Sequence, residues 1–274
     1  GFDYSNHSLD TSVIAEDDSG MQVGFWYDMG VSPSQLASPE SIGREAAKRA
    51  AAMLSAKNLS TRECSVIFDP YTAKSLIRLY ISAVSGSQLY RNLSFLTNSL
   101  GTQVFPEFLS MKEDPFVKEG YGSAPFDDEG VRPSKRFFVE NGVVKGYFLS
   151  TYSARKLGMK TTGNAGGPYN ISLHTDEEHE EKTLKKLMER MGTGLLVTSL
   201  IGQGVNLTTG DYSRGAKGFW VENGKIAYPV DGITVAGNLR NMFLNVEAIG
   251  QDILASDNYR TGSVLIKNLK IAGN

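Results

Sequence analysis

Short apolar runs broken by glycine and by Asn-Gly pairs dominate the chain, and they predict strands joined by tight turns. Alternating β-formers at residues 12–15 and 21–27 flank Asp17, Asp18, Ser19 and Gly20, which read as the turn between two strands. Residues 137–140 and 143–148 flank Asn141-Gly142, and residues 218–221 and 225–228 flank Asn223-Gly224. An Asn-Gly pair between β-formers specifies a hairpin because both turn residues accept positive φ. Val139, Glu140, Asn141 and Gly142 recur in order as Val221, Glu222, Asn223 and Gly224, one turn solution used twice. Further strands are predicted at residues 64–68, 169–173, 194–198 and 263–267.

Between the strands the apolar period lengthens. Ser38-Pro39 supplies an N-cap and a first-turn proline. Ile42, Ala46, Ala50, Met53 and Leu54 then mark a buried stripe on a helix that runs to about residue 57. Asp69-Pro70 repeats the start signal, and Ala73, Leu76, Ile77, Tyr80, Ile81 and Val84 follow at helical spacing up to Gly86. Shorter helices are predicted over residues 150–157 and 181–191. Another is predicted after Asn238, through Leu239, Phe243, Val246 and Ile249. Residues 161–167 read as a flexible loop. Many short strands with several helices packed among them predict an α+β fold of mainly antiparallel sheet. No low-complexity linker divides the chain, and a boundary near Leu59 separates residues 1–58, two strands and a helix, from residues 59–274.

Composition narrows the possibilities. The chain has 274 residues, 41% hydrophobic and 21% charged, enough for an ordinary core. A net charge of -2 gives no basic surface for nucleic acid. No apolar run is long enough to span a bilayer, and there is no signal-peptide pattern. Cys64 is the only cysteine, so no disulfide forms within the chain, which suits the cytoplasm.

The most distinctive stretch is residues 202–238. It carries Asn206, Thr209, Gly210, Asp211, Tyr212, Ser213, Gly215 and Ala216, then Gly218, Phe219, Trp220 and the Asn223-Gly224 turn. Tyr228, Pro229, Val230, Ala236, Gly237 and Asn238 complete it. This stretch resembles the C-terminal signature of the TldD/PmbA family, the modulators of DNA gyrase, in its PmbA (TldE) branch. Asp127, Asp128, Glu129, Gly130 and Val131 resemble a second signature of that family. The chain opens at Gly1-Phe2 within the family pattern, and we read it as a fragment without the family's N-terminal region. A secreted mature protein is the alternative.

The resemblance implies a subunit of a protease complex that processes peptides and unfolded proteins. In TldD-type relatives the helix after the strand at residues 64–68 carries a His-Glu-x-x-x-His metal motif. Here His7, His174 and His179 are the only histidines, and residues 76–86 hold neither His nor Glu. The resemblance therefore implies no cofactor in this chain. It implies a metal ion, expected to be zinc, in a TldD-like partner.

Asn206, Asp211, Tyr212 and Ser213 are the candidate substrate-binding residues, since carboxylate, amide and hydroxyl groups near exposed backbone suit an extended peptide. The competing reading is that they fix glycine-rich turns. Asp127, Asp128 and Glu129 form a signature loop without an assigned role. A standalone peptidase using Asp127 and Glu129 with His174 or His179 is a second hypothesis, and a peptide-binding homodimer is a third. The acidic residues beside His174 and His179 also suit the start of the following helix. Cys64, with apolar neighbours, reads as a structural thiol.

Overall fold

The computed structural model describes residues 1–254 and 257–273. In chain order, β1 (His7–Asp17) and β2 (Gly20–Gly30) precede α1 (Pro39–Ala51), β3 (Arg62–Phe68), α2 (Pro70–Ala83) and α3 (Gly86–Leu89). Next come β4 (Ser110–Asp114), β5 (Arg136–Glu140), β6 (Val143–Val144), α4 (Thr151–Lys156), β7 (Asn170–His174) and β8 (Glu180–Glu181). Then follow α5 (Leu184–Met191), β9 (Gly194–Ile201), β10 (Val205–Asn206), β11 (Asp211–Glu222) and β12 (Lys225–Asn238). The chain ends with α6 (Leu239–Leu244), β13 (Val246–Gly250), β14 (Tyr259–Arg260) and β15 (Val264–Ala272). The fold is α+β with mainly antiparallel sheet.

The central sheet closes on itself. β3 pairs with β9 in parallel, and β9 pairs with β11, β11 with β12, β12 with β15, and β15 with β3, all antiparallel. Closure removes the edges that an open sheet would expose. β10 extends from β11, and β13 and β8 extend from β15. A second sheet has the order β14-β7-β4-β5-β6. The β1–β2 hairpin pairs in full register and lays one face on α1.

Helix α2 joins these parts. Asp69 caps it by accepting from Thr72 N at 2.8 Å, with Pro70 in the first turn. Leu76, Ile77, Tyr80 and Ile81 are buried between the ring and the second sheet. The Tyr80 ring meets Phe105 at 5.1 Å, Phe243 at 5.9 Å and Phe138 at 6.1 Å.

Several elements differ from the sequence reading. β11 and β12 run 12 and 14 residues, far beyond the predicted hairpin. Gly215 becomes a strand residue, and at Gly218, already read as strand, a side chain would overlap Leu196 O on β9. Residues 246–250 are a strand, not the end of a helix, because Asn245 ends α6 and β13 then pairs with β15. Short apolar runs fit both periods. α1 stops at Ala51, and Leu54 lies half-exposed beyond it, just before Ser55 at φ 57°. α5 starts at Leu184 with Thr183 as its cap. Glu180 and Glu181 are therefore strand residues paired with β13 rather than helix-start acids. β6 holds only Val143 and Val144. The loop at 161–167 is not loose: Asn164 Nδ2 donates to Glu113 Oε1 at 2.8 Å, and Arg136 donates to Asn164 Oδ1 at 3.1 Å.

The hairpin touches α1 through Gly24, where a Cβ would overlap Ala46 O and Ala50 N. Gly24→Ala is expected to cost about 1–3 kcal/mol by overpacking, read as a lower denaturant midpoint at unchanged slope.

Candidate functional site

The predicted peptide-binding residues sit at the β10–β11 corner, where the Asn206 Oδ1 and both Asp211 carboxylate oxygens are engaged. Asn206 Oδ1 accepts from Thr208 N at 2.9 Å. Asp211 accepts from Thr209 Oγ1 at 2.6 Å and from Asn238 Nδ2 at 3.2 Å, and these bonds hold its carboxyl below the usual range. Ser213 is exposed, and its N–H donates to Gly204 O at 2.6 Å. Tyr212 alternates inward on β11 and is only 1% exposed. The corner thus spends Asn206 and Asp211 on turns, as polar loop residues often do, and sends Tyr212 into the ring.

The signature loop is tied down in the same way. Asp127 is buried; its Oδ1 accepts from Glu129 N at 2.9 Å and Val131 N at 2.8 Å, and its Oδ2 accepts from Ala165 N at 3.0 Å. Glu129 accepts from Thr151 N at 2.6 Å, at the positive end of α4. Asp128 is exposed, with its carboxylate against Gly166. His174 and His179 lie elsewhere, lining a cavity of about 640 Å³ that none of these three acids lines. His179 stacks on Phe108 at 3.8 Å and pairs with Asp176 at 2.6 Å. His174 Nε2 lies 2.9 Å from Ser172 Oγ, and partial burial, then Lys112, hold its imidazole below the ordinary value.

Cys64 lies on β3, half-buried beneath its neighbours. Burial pushes the thiol up to about 11 despite Arg62 nearby.

A charged cluster that sequence reading missed lies where α2 meets the hairpin. Lys74 and Arg78 stand one turn apart on α2 and converge on Asp257, whose Oδ2 is 3.2 Å from Lys74 Nζ and 3.3 Å from Arg78. Tyr27 of β2 reaches the same oxygen at 3.5 Å. The Lys74 and Asp257 side chains are 2% and 4% exposed, so this pair is desolvated, while Arg78 is 55% exposed. Burial lowers the Lys74 ammonium, and Asp257 offsets part of that. A cavity of about 600 Å³ adjoins the cluster, lined by Trp26, Tyr27, Asp28, Tyr121 and Arg260 among others. Nearby, Arg49 of α1 covers the Trp26 ring at 4.0 Å and reaches the Asp69 cap at 3.4 Å. The one local signal for this cluster was a lysine on the apolar stripe of α2.

These residues do not fit a bound metal. α2 offers an ammonium, a guanidinium and aromatic carbon where a metal needs imidazole, thiolate or carboxylate donors. Among the described residues, no three His, Cys, Asp or Glu side chains gather in ligating reach.

Comparison with known proteins matches residues 61–273 to the PmbA/TldA metallopeptidase C-terminal domain and residues 1–54 to the central domain of the same family. The chain belongs to the PmbA/TldD family. It is 44% identical over 273 residues to the metalloprotease PmbA of Escherichia coli O157:H7, covering 100% of this chain and 60% of that protein. A solved modulator of DNA gyrase from Thermotoga maritima is similar at 34% identity and a TM-score of 0.88, covering 97% of this chain and 62% of that one. TldE from Thermococcus kodakarensis shares the fold at 22% identity and a TM-score of 0.84, covering 98% of this chain and 63% of that one. The chain thus spans about three-fifths of the length of these PmbA/TldD relatives.

Two outcomes follow for this family member. Asp257→Asn leaves Lys74 buried without its counter-charge and is expected to cost about 3–5 kcal/mol in chemical unfolding; Arg78→Ala, at an exposed partner, should cost about 1 kcal/mol or less. A raised thiol stays protonated below its folded value, so at pH 8 Cys64 carries about a hundredfold less thiolate than a thiol at 9.0. Iodoacetamide should accordingly label the native protein about a hundredfold more slowly than the urea-unfolded chain.

Proposed function

We propose that this chain is part of a PmbA/TldE-type subunit that holds no catalytic metal and pairs with a TldD-like subunit that does. Together they form a cytoplasmic protease acting on peptides and unfolded proteins, with zinc as the partner's ion. The observation that carries this reading is the state of α2. In TldD-type relatives the corresponding helix bears the metal motif; here it bears neither His nor Glu, and Leu76, Ile77, Tyr80 and Ile81 are packed in the core. The names of relatives support the reading: one is a metalloprotease PmbA and one structural neighbour is a TldE. No helix among the described residues is long and apolar enough to cross a membrane, which is compatible with it. The separation of Asp127 and Glu129 from the cavity of His174 and His179 weighs against a standalone hydrolase.

The test is capture of the full-length protein, tagged, from its native host. A near-stoichiometric partner carrying His-Glu-x-x-x-His is expected, with zinc following the partner and casein cleaved only by the mixture. Casein cleavage by this protein alone, abolished by His174→Ala, would overturn the reading, and so would recovery of nothing but a second copy.

A further inference from the structure

The mouth of the closed ring holds a cavity with polar groups to spare. The β12–β15 ladder stops at Ala236 and Lys270. β15 resumes pairing on that side with β13 at Ile266, after Lys267 N has donated to Asn245 O at 3.1 Å. Between these points β15 bulges away from β3, with Asn268 in the left-handed region at φ 59°. Beyond Ala236, Gly237 and Asn238 still pair with β11, but their other edge faces a gap. A cavity of about 400 Å³ fills this gap, within the size range of ligand sites and at the kind of barrel mouth where they occur.

Its lining is neutral and short of partners. Tyr212 lines it, is 1% exposed, and its hydroxyl has no hydrogen-bond partner among the described residues. A buried hydroxyl left unpaired costs free energy that a ligand or water can recover. Asn241, Asn245 and Asn268 also line it, and their side-chain amides make no hydrogen bond among the described residues. The fourth asparagine, Asn238, differs: it is engaged by Thr209 O, Asp211 and Arg240 N. Glu63 and Lys270, the two charged lining residues, sit opposite each other in register, so the cavity has no net charge.

We propose that this mouth binds an uncharged stretch of extended peptide through its main chain. Each amide side chain presents one acceptor and two donors, which matches the N–H and C=O that every peptide residue carries. Gly237 and Asn238 leave an edge of β12 without a β15 partner, and an extended peptide can use such an edge where a sugar ring would not. Met242 and Leu269 provide apolar lining, and a side chain at Gly237 would press on both. The site takes Tyr212 from the sequence prediction. It replaces Asn206 and Asp211, which are engaged in turns, with Asn241, Asn245 and Asn268.

This inference rests on the peptide-handling reading above, yet it is separable from it, because binding is read on this chain alone without a partner. Isothermal titration with an acetylated, amidated hexapeptide of alanine, serine and threonine is expected to show binding. Asn241→Ala and Asn245→Ala should each weaken it about five- to tenfold, one hydrogen bond's worth. Lys118→Ala, at the other cavity, should leave it unchanged. Asn241 is exposed, so its variant keeps the fold. Absence of peptide binding, affinity unchanged from the unsubstituted protein in both asparagine variants, or preferential binding of maltohexaose would each overturn the proposal. Loss of the TldD-like partner in the capture experiment, with peptide binding intact, would overturn only the subunit reading.

Discussion

A helix buried along most of its length can carry only what its neighbours satisfy, and α2 sets that constraint here. Its start is fixed by Asp69, a cap of a kind worth about 1 kcal/mol, and Thr72 Oγ1 ties the same turn to Val197 O on β9 at 3.1 Å. One side of the helix packs aromatic carbon from the second sheet and from α6. The other side must accommodate Lys74, and desolvating an ammonium is tolerable only beside a counter-charge. Asp257 supplies it, from a segment far along the chain. The hairpin then docks where Tyr27 meets that carboxylate and Trp26 meets Arg49. The ring, the second sheet and the hairpin are thereby referred to one helix.

The closed ring imposes a complementary constraint. Five strands of unequal length cannot pair everywhere, so closure concentrates mismatch at particular places. Glycines absorb some of it. Gly204 and Gly218 stand where a Cβ would overlap backbone of a neighbouring strand. Bulges absorb the rest, in β11 against β9 and in β15 against β3. The bulge in β15 and the departure of α6 coincide at the mouth. The opening there follows from how the strands close.

What the sequence made legible was local. The caps at Ser38, Asp69 and Asn238 were readable because a cap bonds to a backbone within three residues of it. The Asn141-Gly142 and Asn223-Gly224 turns were readable for the same reason, and both asparagines take positive φ. What depended on distant partners was not. β13 reads as helix until β15 is placed beside it. Gly215 reads as loop until β9 is placed beside it at Ile201. Asp257 has no local signature, since its meaning lies in Lys74, Arg78 and Tyr27. Tyr212 was legible as a candidate, but its inward direction follows from strand alternation that extends the hairpin back to Asp211.

The cavity beside Asp257, at the seam between α2 and the hairpin, and the cavity at the ring mouth differ in what they can offer a ligand. At the seam, Asp257 already answers to Lys74, Arg78 and Tyr27, and its Oδ1 accepts from Tyr259 N at 2.7 Å. A ligand competing for that carboxylate must leave a buried ammonium unpaired, a penalty of several kcal/mol that few contacts repay. At the mouth, a guest displaces only water. The Tyr212 hydroxyl would gain a partner there, and the amides of Asn241, Asn245 and Asn268 would exchange water for the guest, without any internal bond being broken. Where binding energy is the difference between bonds made and bonds lost, the seam favours holding two parts of the fold together. The same difference favours the mouth for holding something that arrives and leaves.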